Sequence, residues 1–170
     1  MLKTFVSVNE MMFSEMFANN DSFEIEYKGK LVHAFYKFDK KDEYVLRFKF
    51  ISTRSHYNQA IVLHLDSFVG KLYIDGERLE IPKNKFPQIV FEEKYAPRQF
   101  DLKVQLEDGE LTVCNGSDLL GTGDMWCSLY MGCAMIVEQI SEKRFVFFCN
   151  DHEDDDDFDD LVFEIEVLVK

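Results

Sequence analysis

The residues best placed to do chemistry are concentrated in one run, Asn150-Asp151-His152-Glu153-Asp154-Asp155-Asp156-Asp157-Phe158-Asp159-Asp160, in which eight of the ten residues from Asp151 onward are acidic. Adjacent carboxylates about 6 Å apart repel by roughly 0.7 kcal/mol per pair even at the dielectric of water, so several in one loop cost stability unless something offsets them. A hard cation would do so: Ca2+ takes six to eight oxygen ligands from Asp, Glu, Asn and backbone carbonyls. The run is not an EF-hand loop. Asp151, Glu153 and Asp155 start with the right spacing, but Asp156 falls where the sharp turn needs glycine, and both flanks read as strands. Three readings of the loop stand side by side. It is a solvated acidic turn that keeps the last hairpin from edge pairing, a specific Ca2+ site, or a docking surface for a basic partner.

Part of this run, Asp155-Asp156-Asp157-Phe158-Asp159-Asp160-Leu161-Val162-Phe163, resembles the D-x-D-F-N-D-hydrophobic signature near the C-terminus of bacterial β-sandwich domains of the DUF4114 kind and related LruC-type domains. Asp159 stands where that pattern usually has Asn. The resemblance implies calcium binding, with Asp155, Asp157, Asp159 and Asp160 as ligands and Phe158 as the buried anchor between them.

Elsewhere the candidates are sparser. Trp126, the only tryptophan, lies in an irregular stretch marked by Asn115-Gly116-Ser117-Asp118 and Gly121-Thr122-Gly123-Asp124. A loop aromatic of this kind can plug the end of a core, or it can stack on a sugar ring with Asn115, Asp118 and Asp124 as hydroxyl partners. His33 and His64 sit inside apolar runs and read as packed or strand-face histidines, whereas His56 lies in the polar loop Thr53 to Gln59. Cys114, Cys127, Cys133 and Cys149 form no CxxC pair, so they read as buried free thiols. The chain contains no G-x-S-x-G, H-E-x-x-H, Walker loop or G-x-G-x-x-G, which leaves no catalytic residue to assign.

The elements that must position the loop follow from periodicity. Ser7 and Glu10 have capping-box spacing, and Met12/Met16 and Phe13/Phe17 repeat at i, i+4, which predicts one helix over 7–18 stopped by Asn19-Asn20-Asp21. From Ser22 the period becomes two, with Phe23, Ile25 and Tyr27 against Glu24, Glu26 and Lys28. Leu31 to Phe38 reads as the next strand, and Tyr44, Leu46, Phe48 and Phe50 mark another half-buried one. Asp75-Gly76 and Asp108-Gly109 read as two-residue hairpin turns, since glycine accepts the positive φ of a type I′ turn. Phe145 to Phe148 enters the acidic run and Leu161 to Val167 leaves it, which makes 150–160 a hairpin loop. About ten short strands with turn signals and a single helix predict a mainly β fold, a jelly-roll-like antiparallel sandwich of two sheets, in one domain over 1–170.

Composition limits the function. At 170 residues with 46% hydrophobic content the chain can bury a core without disulfides. Its formal net charge is −13, and all but −5 of that belongs to the acidic run. Such a balance disfavours nucleic acid and anionic membrane and favours a cation or a basic protein surface. No stretch of 18 apolar residues occurs, and Met1 to Ser7 leads into polar residues, so a cytoplasmic, unprocessed chain is the expectation. The functional expectation is a non-catalytic binding module with a Ca2+-type loop and a carbohydrate or protein ligand. The alternative is an acidic protein that caps a basic partner, as immunity proteins and inhibitors of nuclease toxins do, with an enzyme third.

Overall fold

The computed structural model describes residues 13–20, 22–38, 42–83, 87–118, 121–125, 133–151 and 157–168. Among the described residues one helix, α1 (Phe13–Asn20), precedes thirteen strands. The first seven are β1 (Glu24–Tyr27), β2 (Lys30–His33), β3 (Tyr36–Phe38), β4 (Asp42–Thr53), β5 (Gln59–His64), β6 (Val69–Ile74) and β7 (Glu77–Arg78). The rest are β8 (Gln88–Glu92), β9 (Gln99–Asp108), β10 (Leu111–Ser117), β11 (Ala134–Gln139), β12 (Arg144–Asn150) and β13 (Leu161–Leu168). They form a large antiparallel sheet of nine strands, ordered β1-β2-β11-β12-β13-β4-β9-β6-β7, and a small one of four, ordered β3-β10-β5-β8.

Alternation fixes which residues face inward. Tyr44, Leu46, Phe48 and Phe50 on β4, and Leu161, Phe163, Ile165 and Val167 on β13, are all buried. They pack in one cluster with Ile61, Leu63, Leu111 and Val113 of the small sheet. Each such side chain contributes about 1.5–3 kcal/mol relative to exposure. Outward positions carry charge, and Arg47 on β4 makes a two-pronged pair with its cross-strand neighbour Asp101 on β9 at 2.8 and 3.0 Å.

A second, smaller core lies on the other face of the large sheet. Phe13, Met16 and Phe17 of α1 pack on Ile25, Val32, Ala34 and Ala134, and Phe158 from the acidic loop joins them. The Phe13 ring centroid stands 5.2 Å from Tyr27 and 5.5 Å from Phe158. Because β1, β2 and β11 are covered on this face, their outward positions Ile25, Val32 and Ala134 are buried too.

The two-sheet mainly β architecture with a short N-terminal helix is as periodicity predicts, and several local expectations are corrected. Ser7, Glu10 and Met12 lie outside the described residues, and the helix runs on through Asn19 to Asn20, whose side-chain amide donates to the Met16 carbonyl at 2.8 Å. Leu31 to Phe38 is two strands in different sheets. β2 pairs with β1, the chain crosses over at Ala34-Phe35, where the Ala34 N–H donates to the Phe23 carbonyl at 2.8 Å, and β3 pairs with β10. Asp75-Gly76 is a hairpin with both φ positive, 47° and 89°. Asp108-Gly109 instead hands the chain from the large sheet to the small one. Gly109, at φ 80°, lies so close to the Ser67 carbonyl that a Cβ would collide with it, so the glycine serves a close backbone approach. Asn115 to Ser117, expected in an irregular stretch, complete β10. Cys114, Cys133 and Cys149 are buried free thiols, and Cys127 lies outside the described residues.

Candidate metal centre

The loop between β12 and β13 is described at its two ends, Asp151 and 157–160. Strand pairing brings those ends together: Cys149 faces Leu161, and the Asp160 N–H donates to the Cys149 carbonyl at 3.1 Å. The Asp151 N–H then donates to Asp160 Oδ2 at 2.8 Å, which closes the base of the loop. Both carboxylates are buried, with Asp151 at 0% and Asp160 at 1% exposure, so neither is a solvated surface acid. This corrects the view of the run as uniformly wet.

Burial of a carboxylate requires donors, and these come from the segment between β4 and β5. Ser55 Oγ donates to Asp151 Oδ2 and itself accepts the Tyr57 N–H at 3.1 Å. Gln59 Nε2 lies 3.4 Å from the same Asp151 oxygen, and the Arg54 N–H donates to the Asp160 carbonyl at 3.0 Å. Asn115 supports the neighbouring backbone by donating from Nδ2 to the Asn150 carbonyl at 3.0 Å. Sequence reading missed Asp151, Ser55 and Gln59 as a structural clasp. The available signal was Gln59, a polar residue set directly before the apolar run 60–63 and buried with it.

Above this clasp the loop turns outward. Phe158 has φ 56°, uncommon for a bulky residue, and its ring is inserted into the small core under α1. With Phe158 held inward, Asp157 and Asp159 on either side are left at the surface. One ligand oxygen from each of Asp157, Asp159 and Asp160 lies within 4.8 Å of the others. Asp155 and His152 lie outside the described residues. The Asp159 carboxyl is raised above the ordinary aspartate value, first by burial, then by its hydrogen bond to Asp157 and by the Asp157 charge. Arg54 Nη1, 3.6 Å from Asp159 Oδ2, opposes that rise.

The other sequence candidates are described in part. Trp126 lies outside the described residues. Asn115 is fully buried within β10, while Asp118 accepts the N–H groups of Thr122 and Gly123, each at 3.0 Å, and so folds its own turn. Asp124 is exposed and accepts Thr122 Oγ1 at 3.3 Å. Among the histidines, His33 is held below the ordinary imidazole value by burial, against the opposing pull of Glu24 at 3.4 Å. His64 Nε2 contacts Cys114 Sγ at 3.3 Å, but that thiol is fully buried, with no face open to a substrate. Burial, with Cys133 and Asp160 nearby, pushes the Cys149 thiol well up, so it stays protonated and non-nucleophilic.

No helix among the described residues is long and apolar enough to cross a membrane. No family model, curated protein or solved structure matches the chain.

Proposed function

We propose that the chain is a non-catalytic β-sandwich binding module whose last hairpin holds a Ca2+-type cation on Asp157, Asp159 and Asp160, with Asp155 as a fourth ligand suggested by the sequence. The observation that carries this reading is the spacing of the three carboxylates, whose ligand oxygens all lie within 4.8 Å of one another. Oxygens bound to Ca2+ at about 2.3–2.6 Å stand at most roughly 5 Å apart across the ion, so three carboxylates at this spacing fit one coordination sphere. The raised Asp159 carboxyl also suits a cation, because its ionisation is opposed first by burial and then by its hydrogen bond to Asp157 and the Asp157 charge, and a cation would favour the ionised form against all three.

Thermal unfolding in millimolar Ca2+, with Mg2+ and ionic strength matched and reversal by a chelator, tests the reading. At about 100 times Kd the ion adds roughly 2.7 kcal/mol, several degrees in Tm for a chain of this size. The absence of a Ca2+-specific shift would sink it. A second reading, a docking surface for a basic protein, draws on the net charge of −13. It predicts a complex that forms without Ca2+ and is lost when Asp154 to Asp157 become Asn.

A further inference from the structure

A recess of about 310 Å³ opens on the outer face of the large sheet beside the acidic loop. Ile136, Phe148 and Phe158 supply its apolar surface, with Tyr27 as an aromatic wall. Its charged lining has both signs: Lys28 and Lys30 from the β1–β2 hairpin, Glu138 from β11 and Asp157 from the loop. Lys28 is held over the Tyr27 ring, its Nζ 5.3 Å from the centroid, which puts positive charge at the aromatic wall. No ion pair joins Lys30, Glu138 or Asp157 to another described residue. Lys30 therefore shares the cavity with Glu138 and Asp157 without an ion pair among the three.

The volume lies at the small end of the range of ligand pockets, which combine an apolar lining with a few polar groups that fix orientation. A purely anionic ligand would meet Glu138 and Asp157, and would approach against a net charge of −13. A purely cationic one would meet the lysines. A molecule carrying both charges satisfies both poles and is neutral at long range. We propose that this recess binds a small zwitterion of the apolar α-amino-acid class. Its carboxylate faces Lys30, its ammonium faces Glu138 and Asp157, and its side group lies on Phe148, Phe158 and Ile136. This site goes beyond the cation reading and shares only Asp157 with it.

The test is an NMR titration of the full chain, in chelator, with L-phenylalanine and L-leucine as probes. Hydrocinnamate, which lacks the ammonium, and phenethylamine, which lacks the carboxylate, serve as controls. The expected result is saturable amide shifts centred on 27–30, 136–138, 148 and 157–158, with L-phenylalanine about tenfold tighter than either control. Lys30→Gln and Glu138→Gln, both at exposed positions, each weaken binding about tenfold while leaving the remaining spectrum unchanged. No saturable shift with either amino acid, a control that binds as tightly as L-phenylalanine, or variants that bind unchanged would overturn the proposal. Repeating the titration in Ca2+ separates the two sites. An amino-acid response in a protein that ignores Ca2+ supports the recess and removes the cation reading, and a Ca2+ response with no amino-acid response does the reverse.

Discussion

Asp151 and Asp157 belong to the same acidic run, yet the fold treats them oppositely. Asp151 is fully buried, with its carboxylate engaged by Ser55 and Gln59, whereas Asp157 is exposed and lies beside Asp159. What separates them is Phe158 together with the loop base at Asp151–Asp160. Asp151 is used up in holding the chain, Asp157 and Asp159 are held where they repel, and Asp160 belongs to both groups. The difference teaches that in such a tract charge density alone does not define a site: some acids build the frame and others are displayed on it.

The comparison can be broken most forcefully at its divider. Phe158→Ala empties a place in the small core and is expected to cost about 3–5 kcal/mol in urea unfolding, and to abolish any Ca2+ response with it. If the variant keeps wild-type stability, Phe158 does not anchor the loop. Next in size, Asp151→Ala leaves the Ser55 hydroxyl without its acceptor and the Gln59 amide with only the Tyr57 carbonyl, at about 1–3 kcal/mol. Asp157→Asn, by contrast, stays within about 0.5 kcal/mol in chelator while losing the Ca2+ gain. Equal costs at the two positions would erase the distinction between frame and display.

The smallest effect concerns pH. Since the Asp159 carboxyl is raised in the folded state, its contribution to stability without metal is present at low pH and disappears as pH rises through that value. A bound cation requires the ionised form, so Ca2+ affinity moves the other way and falls as pH drops through the same window. Calcium titrations on either side of the window, compared with Asp159→Asn, read both trends. A Ca2+ affinity that does not change with pH would remove Asp159 from the ligand set.

Much of the frame was legible because alternation is a local signal. Tyr44, Leu46, Phe48 and Phe50 read as one inward face, and all four are buried. The Asp75-Gly76 turn was equally legible, since its conformation depends on two residues. Asp108-Gly109 shows the limit: the dipeptide announces a turn, but which strands pair afterwards is decided by packing between sheets. The break at Ala34-Phe35 was hidden for the same reason, because an apolar run does not reveal that it changes sheet. In the site, the resemblance named Asp155, Asp157, Asp159 and Asp160; the last three offer oxygens within 4.8 Å of one another, and Asp155 lies outside the described residues. The burial of Asp151 was not legible, since Ser55 and Gln59 lie 96 and 92 residues away from it.

That separation also bears on how the protein is made. Bringing Ser55 to Asp151 across most of the chain carries a loop-closure cost that only the prior pairing of β4 with β13 reduces. The Ser55–Asp151 contact is consequently expected to form after the strands that frame it have paired. A chain still emerging from the ribosome, or one stalled with its sheets apart, carries the same aspartates without this spacing, so the cation site proposed for the loop needs the finished molecule.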